Sequence, residues 1–372
     1  MSDSLQRRIS EWDGEAVVCR FEPDADAWIF VALHDATLGT PVGGTRIRVY
    51  ESPEAGLVDA MRLAAGMTCK WAAVELPFGG GKAVLCLSRA LSPEERKALL
   101  REYGRLLRTL HGAFATGVDL GTTPQDMRIV AQESEHVMGG CGIRSDPGPY
   151  TALGVLSGIR AGLRHALDSE DVAGRRVLVQ GVGDVGLPLA RMLAEAGARV
   201  LLSDVDEPRA ARAATELGGT VVEAARVSQT PCDVYAPCAV GGVLNERTIP
   251  RLRCRLVAGS ANNQLLEPAD ADRLHDLGIL YAPDYIINAG GAIAFGRMHL
   301  GVEDDEAIRE EIRGIGSTLE GIFLDAERSG RSPAHAATRR VERVLEAHRV
   351  RGSAAAPARR AASEAAPAHG AD

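Results

Sequence analysis

No run of about 18 apolar residues interrupts this chain of 372 residues, and its N-terminus, MSDSLQRRISEWDGE, has no apolar signal-peptide core. A membrane span is therefore not expected, and the expected location is cytoplasmic. Excess positive charge is also missing. The formal charge is −8 and the pI is near 5.7, which argues against a nucleic-acid binder with a basic face. The seven cysteines form no CxxC or CxxH pair, so free thiols in a reducing compartment are expected. Cys232 and Cys238 flank Asp233 to Pro237 at a spacing that matches no familiar zinc site, and no metal is expected. There is no internal repeat.

What is present is an ordinary globular composition, 45% apolar and 25% charged, in a chain long enough for about two domains. Trp28 to Leu33 and Thr45 to Tyr50 have strand character. From Pro53 to about Val74 apolar residues recur at helical spacing, with Ser52 placed to cap and Pro53 in the first turn. A strand (82–87), a long helix (92–110), a short strand (113–118) and a helix opening with capping-box chemistry at Thr123 follow. The stretch MGGCGIRSDPGP, 138–149, reads as a hinge between domains.

Beyond it the strand–helix alternation is regular, which implies a parallel sheet covered on both faces. Helix 151–167, strand 175–180, helix 186–196, strand 198–203 and a helix after Asp206 lead to short strands near 232–235, 255–258 and 279–282. The expected division is a substrate-binding and catalytic domain over 1–137, a dinucleotide domain over 150–325 and a helical segment over 326–351 packing back toward the first domain. Residues 352–372, rich in Ala, Pro and Arg, read as a disordered tail.

The segment VLVQGVGDVGLPLARMLAEAGARVLLSDVD carries the strongest signal that spacing alone provides. A strand feeds the loop Gly181, Val182, Gly183, Asp184, Val185, Gly186, and a helix and a second strand ending at Asp204 follow. The first glycine of such a loop permits a tight turn. The second lets backbone approach a pyrophosphate, and the third lets helix pack against strand. The helix N-terminus favours the anion. A carboxylate at Asp204 suits the ribose hydroxyls of NAD and repels the 2′-phosphate of NADP. NAD is the expected cofactor.

Two lysines, Lys70 and Lys82, stand in a stretch otherwise nearly all apolar or glycine, MTCKWAAVELPFGGGKAVL. A phosphate loop of the form GxxxxGK[ST] is excluded, because Leu76 stands where its first glycine belongs and Ala83 where its hydroxyl belongs. Beside a dinucleotide site, two converging ammonium groups lower each other's pKa, as does desolvation. One can stay charged and bind a substrate carboxylate while the other serves as a base. Asp119, ending the strand AFATGVD, is expected to balance that charge and shuttle a proton. His34, His111 and His136 have no motif around them and read as structural or surface residues.

Across about Pro41 to Ile293 the chain resembles the Glu/Leu/Phe/Val amino-acid dehydrogenase family, in its leucine, valine and phenylalanine branch. The resemblance rests on GGTR (43–46), GMTCKWAA (66–73), LPFGGGK (76–82), TGVDLGTTPQDM (116–127), CDVYAPCAVGGVLN (232–245), AGSANNQL (258–265) and YAPDYIINAGGAI (281–293). It implies an α/β fold: an N-terminal α/β substrate and oligomerisation domain, and a Rossmann-type doubly wound NAD domain, with a cleft between them. It further implies reversible NAD-dependent oxidative deamination of an apolar L-amino acid to a 2-oxo acid and ammonia, by a homo-oligomer.

In that resemblance Lys70 binds the substrate carboxylate, Lys82 is the catalytic base and Asp119 assists it, with Gly43 and Gly44 lining the site. Thr151 is implied at the nicotinamide amide and Arg209 near the adenosine ribose. Ala239, Val240, Ser260, Ala261 and Asn262 would pass along the dinucleotide, and Asn262 and Asn288 would reach the nicotinamide ribose or the substrate amine. Val42, Gly117, Ala292 and Phe295 are implied around the side-chain pocket. The small Gly117 and Ala292 leave room that Phe295 could refill, so the choice between leucine or valine and phenylalanine stays open. Trp71 either narrows that pocket or packs in the core. A regulatory NAD-binding protein without turnover is the alternative, and a hydroxy-acid dehydrogenase is a third reading.

Overall fold

The computed structural model describes residues 3–138 and 146–355. After helix α1 (Asp3–Glu11), strands β1 (Ala16–Glu22), β2 (Ala27–Asp35), β3 (Pro41–Val49), β4 (Gly79–Leu87) and β5 (Ala115–Val118) form one sheet in the order β1-β2-β4-β3-β5. β1, β2 and β4 pair antiparallel, whereas β3 runs parallel to both β4 and β5. Helices α2 (Pro53–Ala73), α3 (Pro93–Thr109) and α4 (Pro124–Ala131) cover it.

The helix starts follow local chemistry. Ser52 Oγ accepts the Ala55 N–H at 3.2 Å, with Pro53 in the first turn of α2. Ser92 with Glu95 and Thr123 with Asp126 each complete a reciprocal capping box. The glycines before Lys82 belong to the strand itself rather than to a preceding loop, and every residue of β4 is buried. The reason is close packing of α2. A Cβ on Gly80 would stand 1.9 Å from Thr68 Oγ1, so only glycine lets the helix lie this near the strand.

The second sheet is wholly parallel. Strands β6 (Arg176–Gln180), β7 (Arg199–Ser203), β8 (Thr220–Val221), β9 (Val234–Pro237), β10 (Leu256–Val257) and β11 (Leu280–Tyr281) lie in the order β11-β10-β9-β6-β7-β8. Its helices are α5 (Gly148–Leu167), α6 (Gly186–Glu195), α7 (Glu207–Leu217) and α8 (Ala269–Asp276). α9 (Asp284–Ile287), α10 (Gly290–His299), α11 (Asp305–Arg313) and α12 (Ile315–Ser329) follow. α5 starts at Gly148, ahead of the expected Thr151. α10 was not anticipated, because its sequence GGAIAFGRMH holds three glycines. Burial of Ile293 and Ala294 outweighs that weak propensity.

The last helix, α13 (Pro333–Ala355), packs on α12 and reaches α2 and the first sheet. Arg349 pairs with Asp35 at 2.6 Å, and Arg340 Nε donates to the Ala73 carbonyl at 3.4 Å. α13 continues through residues 352–355, into the segment read from sequence as a tail. The remainder of that tail, and most of the expected hinge at 138–149, lie outside the described residues. Among the described residues no helix is long and apolar enough to cross a membrane.

Candidate active site

A cleft of about 640 Å³ opens between the two sheets, and both lysines line it. Lys82 comes from β4 with its side chain only 6% exposed, and its Nζ stands 2.9 Å from Asp119 Oδ1. Asp119 follows β5 directly. Its backbone N–H donates to Thr122 Oγ1 at 2.9 Å, and its other carboxylate oxygen accepts Arg46 Nε at 2.9 Å. Burial would raise the Asp119 carboxyl, but the Lys82 ammonium and Arg46 guanidinium outweigh it and hold the group far below the usual carboxylate range. Lys70, in the last turn of α2, is brought down to about 8 by burial and then by Lys82, against the opposing pull of Asp284 and Asp119. The arrangement offers one ammonium that titrates near working pH and a second bound to a fixed anion.

Around these groups the cleft is glycine-lined on one side and apolar on the other. Val42, Gly43 and Gly44 come from β3, and Gly117 from β5. A Cβ on Gly43 would stand 1.9 Å from the Gly81 carbonyl, so this backbone is closed against its neighbour strand. Gly117 differs, since a Cβ there would meet nothing nearer than the Met138 carbonyl at 3.7 Å. Ala292 and Phe295 enter from α10. Asn288 Nδ2 donates to Asn262 Oδ1 at 2.8 Å and to the Ser260 carbonyl at 3.1 Å, while Asn288 Oδ1 is buried without a partner. A buried amide oxygen left unpaired at a cleft wall is suited to accept an N–H or O–H from a bound molecule.

The glycine loop is tightly packed at two of its three glycines and open at the third. Gly181 has φ +92°, and a Cβ there would lie 2.7 Å from that of Ala239. On Gly186 it would lie 1.8 Å from the Gly181 carbonyl, whereas around Gly183 nothing stands within 4 Å. No side chain caps the start of α6, but the Leu187 N–H is already given to the Gly183 carbonyl at 3.1 Å and Pro188 has none, so of the first three residues only Gly186 keeps an N–H to offer an anion. Asp184, Val185, Thr151 and Ser260 face the same cleft as the lysines. Thr151 Oγ1 donates to the Pro147 carbonyl at 3.0 Å and accepts the Gly291 N–H at 3.2 Å.

Not every residue expected along the cofactor lines that cleft. Gly183 and Arg209 line an adjoining one of about 650 Å³ beside α6 and α7. Asp204 accepts the Val182 N–H at 2.9 Å and stands 3.6 Å from Arg209, which ties the second strand to the glycine loop. Ala239 packs over Gly181, Val240 is 67% exposed, and Ala261 is buried with its N–H given to the Pro237 carbonyl. These last three line neither cleft. Among the described residues no group of three or more His, Cys, Asp or Glu could hold a metal ion.

Comparison with known proteins places this geometry. Residues 25–136 match the Glu/Leu/Phe/Val dehydrogenase dimerisation domain, and residues 204–352 match the Glutamate/Leucine/Phenylalanine/Valine dehydrogenase domain. The chain belongs to this family. It is 39% identical over 348 residues to a leucine dehydrogenase of Geobacillus stearothermophilus, covering 93% of this chain and 94% of that one. It is 41% identical over 355 residues to an L-tryptophan dehydrogenase of Nostoc punctiforme, covering 95% and 99%. The crystal structure of the L-tryptophan dehydrogenase from Nostoc punctiforme superposes with a TM-score of 0.78 at 38% identity, covering 92% and 99%. The protein is thus an amino-acid dehydrogenase, an oxidoreductase of CH–NH₂ donors.

Sequence reading of this dehydrogenase passed over several groups at the site. Arg46 stands inside the quoted GGTR motif but received no role, and its partner Asp59 lies one helix away. Met67 and Met138 line the cleft and were not singled out. Trp71 packs in the core with its side chain buried, borders the cleft, and donates its Nε1 to the Val42 carbonyl at 2.9 Å. The one signal the sequence held for Arg46 was its place in that motif, two residues after Gly44 in a strand; that β3 lies between β4 and β5 is a fact of the sheet order.

Proposed function

We propose that this enzyme catalyses the reversible, NAD-dependent oxidative deamination of an apolar L-amino acid to its 2-oxo acid and ammonia. The observation that carries the reading is the convergence of Lys70, Lys82 and Asp119 on a cleft that Asp184 and Val185 of the glycine loop also line. NAD, when bound along that loop, supplies the acceptor for the hydride leaving the substrate Cα. Lys70 receives the substrate carboxylate as an ion pair, and its burial strengthens that attraction. Asn288, through its unpartnered oxygen, and Asn262 orient the amine or the nicotinamide ribose.

Loss of hydride leaves the substrate as an iminium. Lys82, once it has released its own proton, takes one from a water that adds to this carbon, and the resulting carbinolamine expels ammonia to leave the 2-oxo acid. Asp119 holds Lys82 in place and keeps the site's charge balanced.

The wall of Val42, Met67, Gly117, Ala292 and Phe295 supplies no cation for a side-chain carboxylate. It suits an apolar side chain, and the relatives act on leucine or tryptophan by name. We assign a substrate in the range from branched aliphatic to aromatic. A homo-oligomer formed through the first sheet fits the dimerisation-domain match over residues 25–136, and the free thiols described fit a cytoplasmic setting. The test is NADH formation at 340 nm across Leu, Val, Ile, Phe, Tyr and Trp. Binding of NAD without turnover on any of them would favour a regulatory protein instead.

A further inference from the structure

We infer that Arg46 is a positioning residue of the reaction: clamped between Asp59 and Asp119, it fixes the carboxylate that in turn fixes Lys82. The inference rests on the function proposed above and extends it to a residue outside the cleft wall.

The geometry is a chain of alternating charges. Lys82 Nζ meets Asp119 Oδ1 at 2.9 Å, and Arg46 Nε donates to Asp119 Oδ2 at 2.9 Å. Arg46 Nη1 donates to Asp59 Oδ2 at 3.0 Å. That same oxygen accepts the Tyr50 hydroxyl at 2.7 Å, while Asp59 Oδ1 accepts Arg62 Nη2 at 3.0 Å. Arg46 is only 12% exposed and Asp59 14%. With a hydrogen bond at each end of its planar fork, the guanidinium has one orientation open to it. Asp119, held on both oxygens, inherits that orientation.

Arg46 does not face the substrate. It lines a separate cavity of about 740 Å³ together with Tyr50, Asp59 and Arg62, on the far side of the ion chain from the cleft. Its influence on the reacting atoms must therefore pass through Asp119. Removing it would leave the part-buried Asp119 with Oδ2 unpaired, a costly arrangement for a charged group, and Lys82 would be tied to a carboxylate free to turn. Lys70 and the asparagine pair, which hold substrate, would stay as they are.

The test is Arg46→Ala in the full-length enzyme, with guanidinium ion added back. The open cavity beside Arg46 gives the small cation a route to the vacated position. Expected is a fall in kcat of about 30-fold or more, with KM for amino acid and NAD within about threefold of wild type. Guanidinium should recover part of the lost kcat, and Arg46→Lys should retain more activity than Arg46→Ala. In an Asp119→Asn background, Arg46→Ala should change kcat by less than about twofold, since the path of its action is already cut.

Unchanged kcat in Arg46→Ala overturns the inference. So do kcat and KM worsening together with no guanidinium response, or an undiminished Arg46→Ala effect in the Asp119→Asn background. Each of these leaves the function of the wild-type enzyme standing. A wild-type enzyme that oxidises no amino acid with NAD removes the functional reading, and this inference with it.

Discussion

The indole N–H of Trp71, at the end of α2, donates to the backbone carbonyl of Val42 in β3 across 2.9 Å. The bond pins the strand that presents Gly43 and Gly44 to the helix that presents Lys70. Replacing Trp71 by Phe keeps the ring's apolar bulk but leaves the Val42 carbonyl short of a donor. A loss of about 1–2 kcal/mol is expected, seen as a Tm lowered by about 1–3 °C. A thermal melt of the variant that overlays wild type would show the bond to be energetically idle.

Lys82 reaches the cleft from a buried strand of the first sheet, whereas the loop that would hold the dinucleotide belongs to the second. Lys82→Ala is expected to lower kcat by about 10²–10⁴-fold, the usual range for a general base, while the Kd for NAD stays within about twofold. Steady-state rates and a fluorescence titration with NAD check it. Parallel losses in both would mean that the lysine serves the fold and not the reaction.

Lys70 titrates at about 8, so its hold on a carboxylate should be pH-dependent. Below that value it is an ammonium and binds; above it the charge is lost, and KM for the amino acid should rise. Lys70→Arg keeps its charge throughout and should give a flat KM from pH 8 to 10, though a higher one overall. A wild-type KM that holds level across that interval contradicts the assignment.

Gly186 has no room for a methyl group, since its Cβ would lie 1.8 Å from the Gly181 carbonyl. Gly186→Ala must therefore push the loop and α6 apart, and the Kd for NAD should rise by at least about tenfold. Gly183→Ala, at a position with no protein atom within 4 Å, should leave the melting temperature alone and weaken only cofactor binding. Measuring Kd and Tm on both variants separates a folding defect from a binding one. Equal Tm losses at the two glycines would refute the distinction.

Much of the site was legible because its signals are local. The glycine loop and Asp204 lie on one strand–turn–helix–strand unit, whose steric demands act between near neighbours in the chain. Lysine occurs only three times in the sequence, at 70, 82 and 97, and the two that stand among apolar residues are the two in the cleft. The helix caps at Ser52 and Thr123 are likewise written within a single turn.

Other features needed neighbours that sequence order does not supply. Sheet order sets β3 between β4 and β5, and only that order brings Arg46 between the strand of Lys82 and the carboxylate of Asp119. Asn288 meets Asn262 because β10 and β11 lie side by side, and Trp71 meets Val42 because α2 lies close over glycine-bearing strands. By itself the sequence determined which chemical groups were available and how each short unit would fold, since those depend on contacts a few residues apart. Which groups share a proton, a charge or a wall was decided by the tertiary structure, because strand order and helix packing join segments whose separation along the chain carries no record of their meeting.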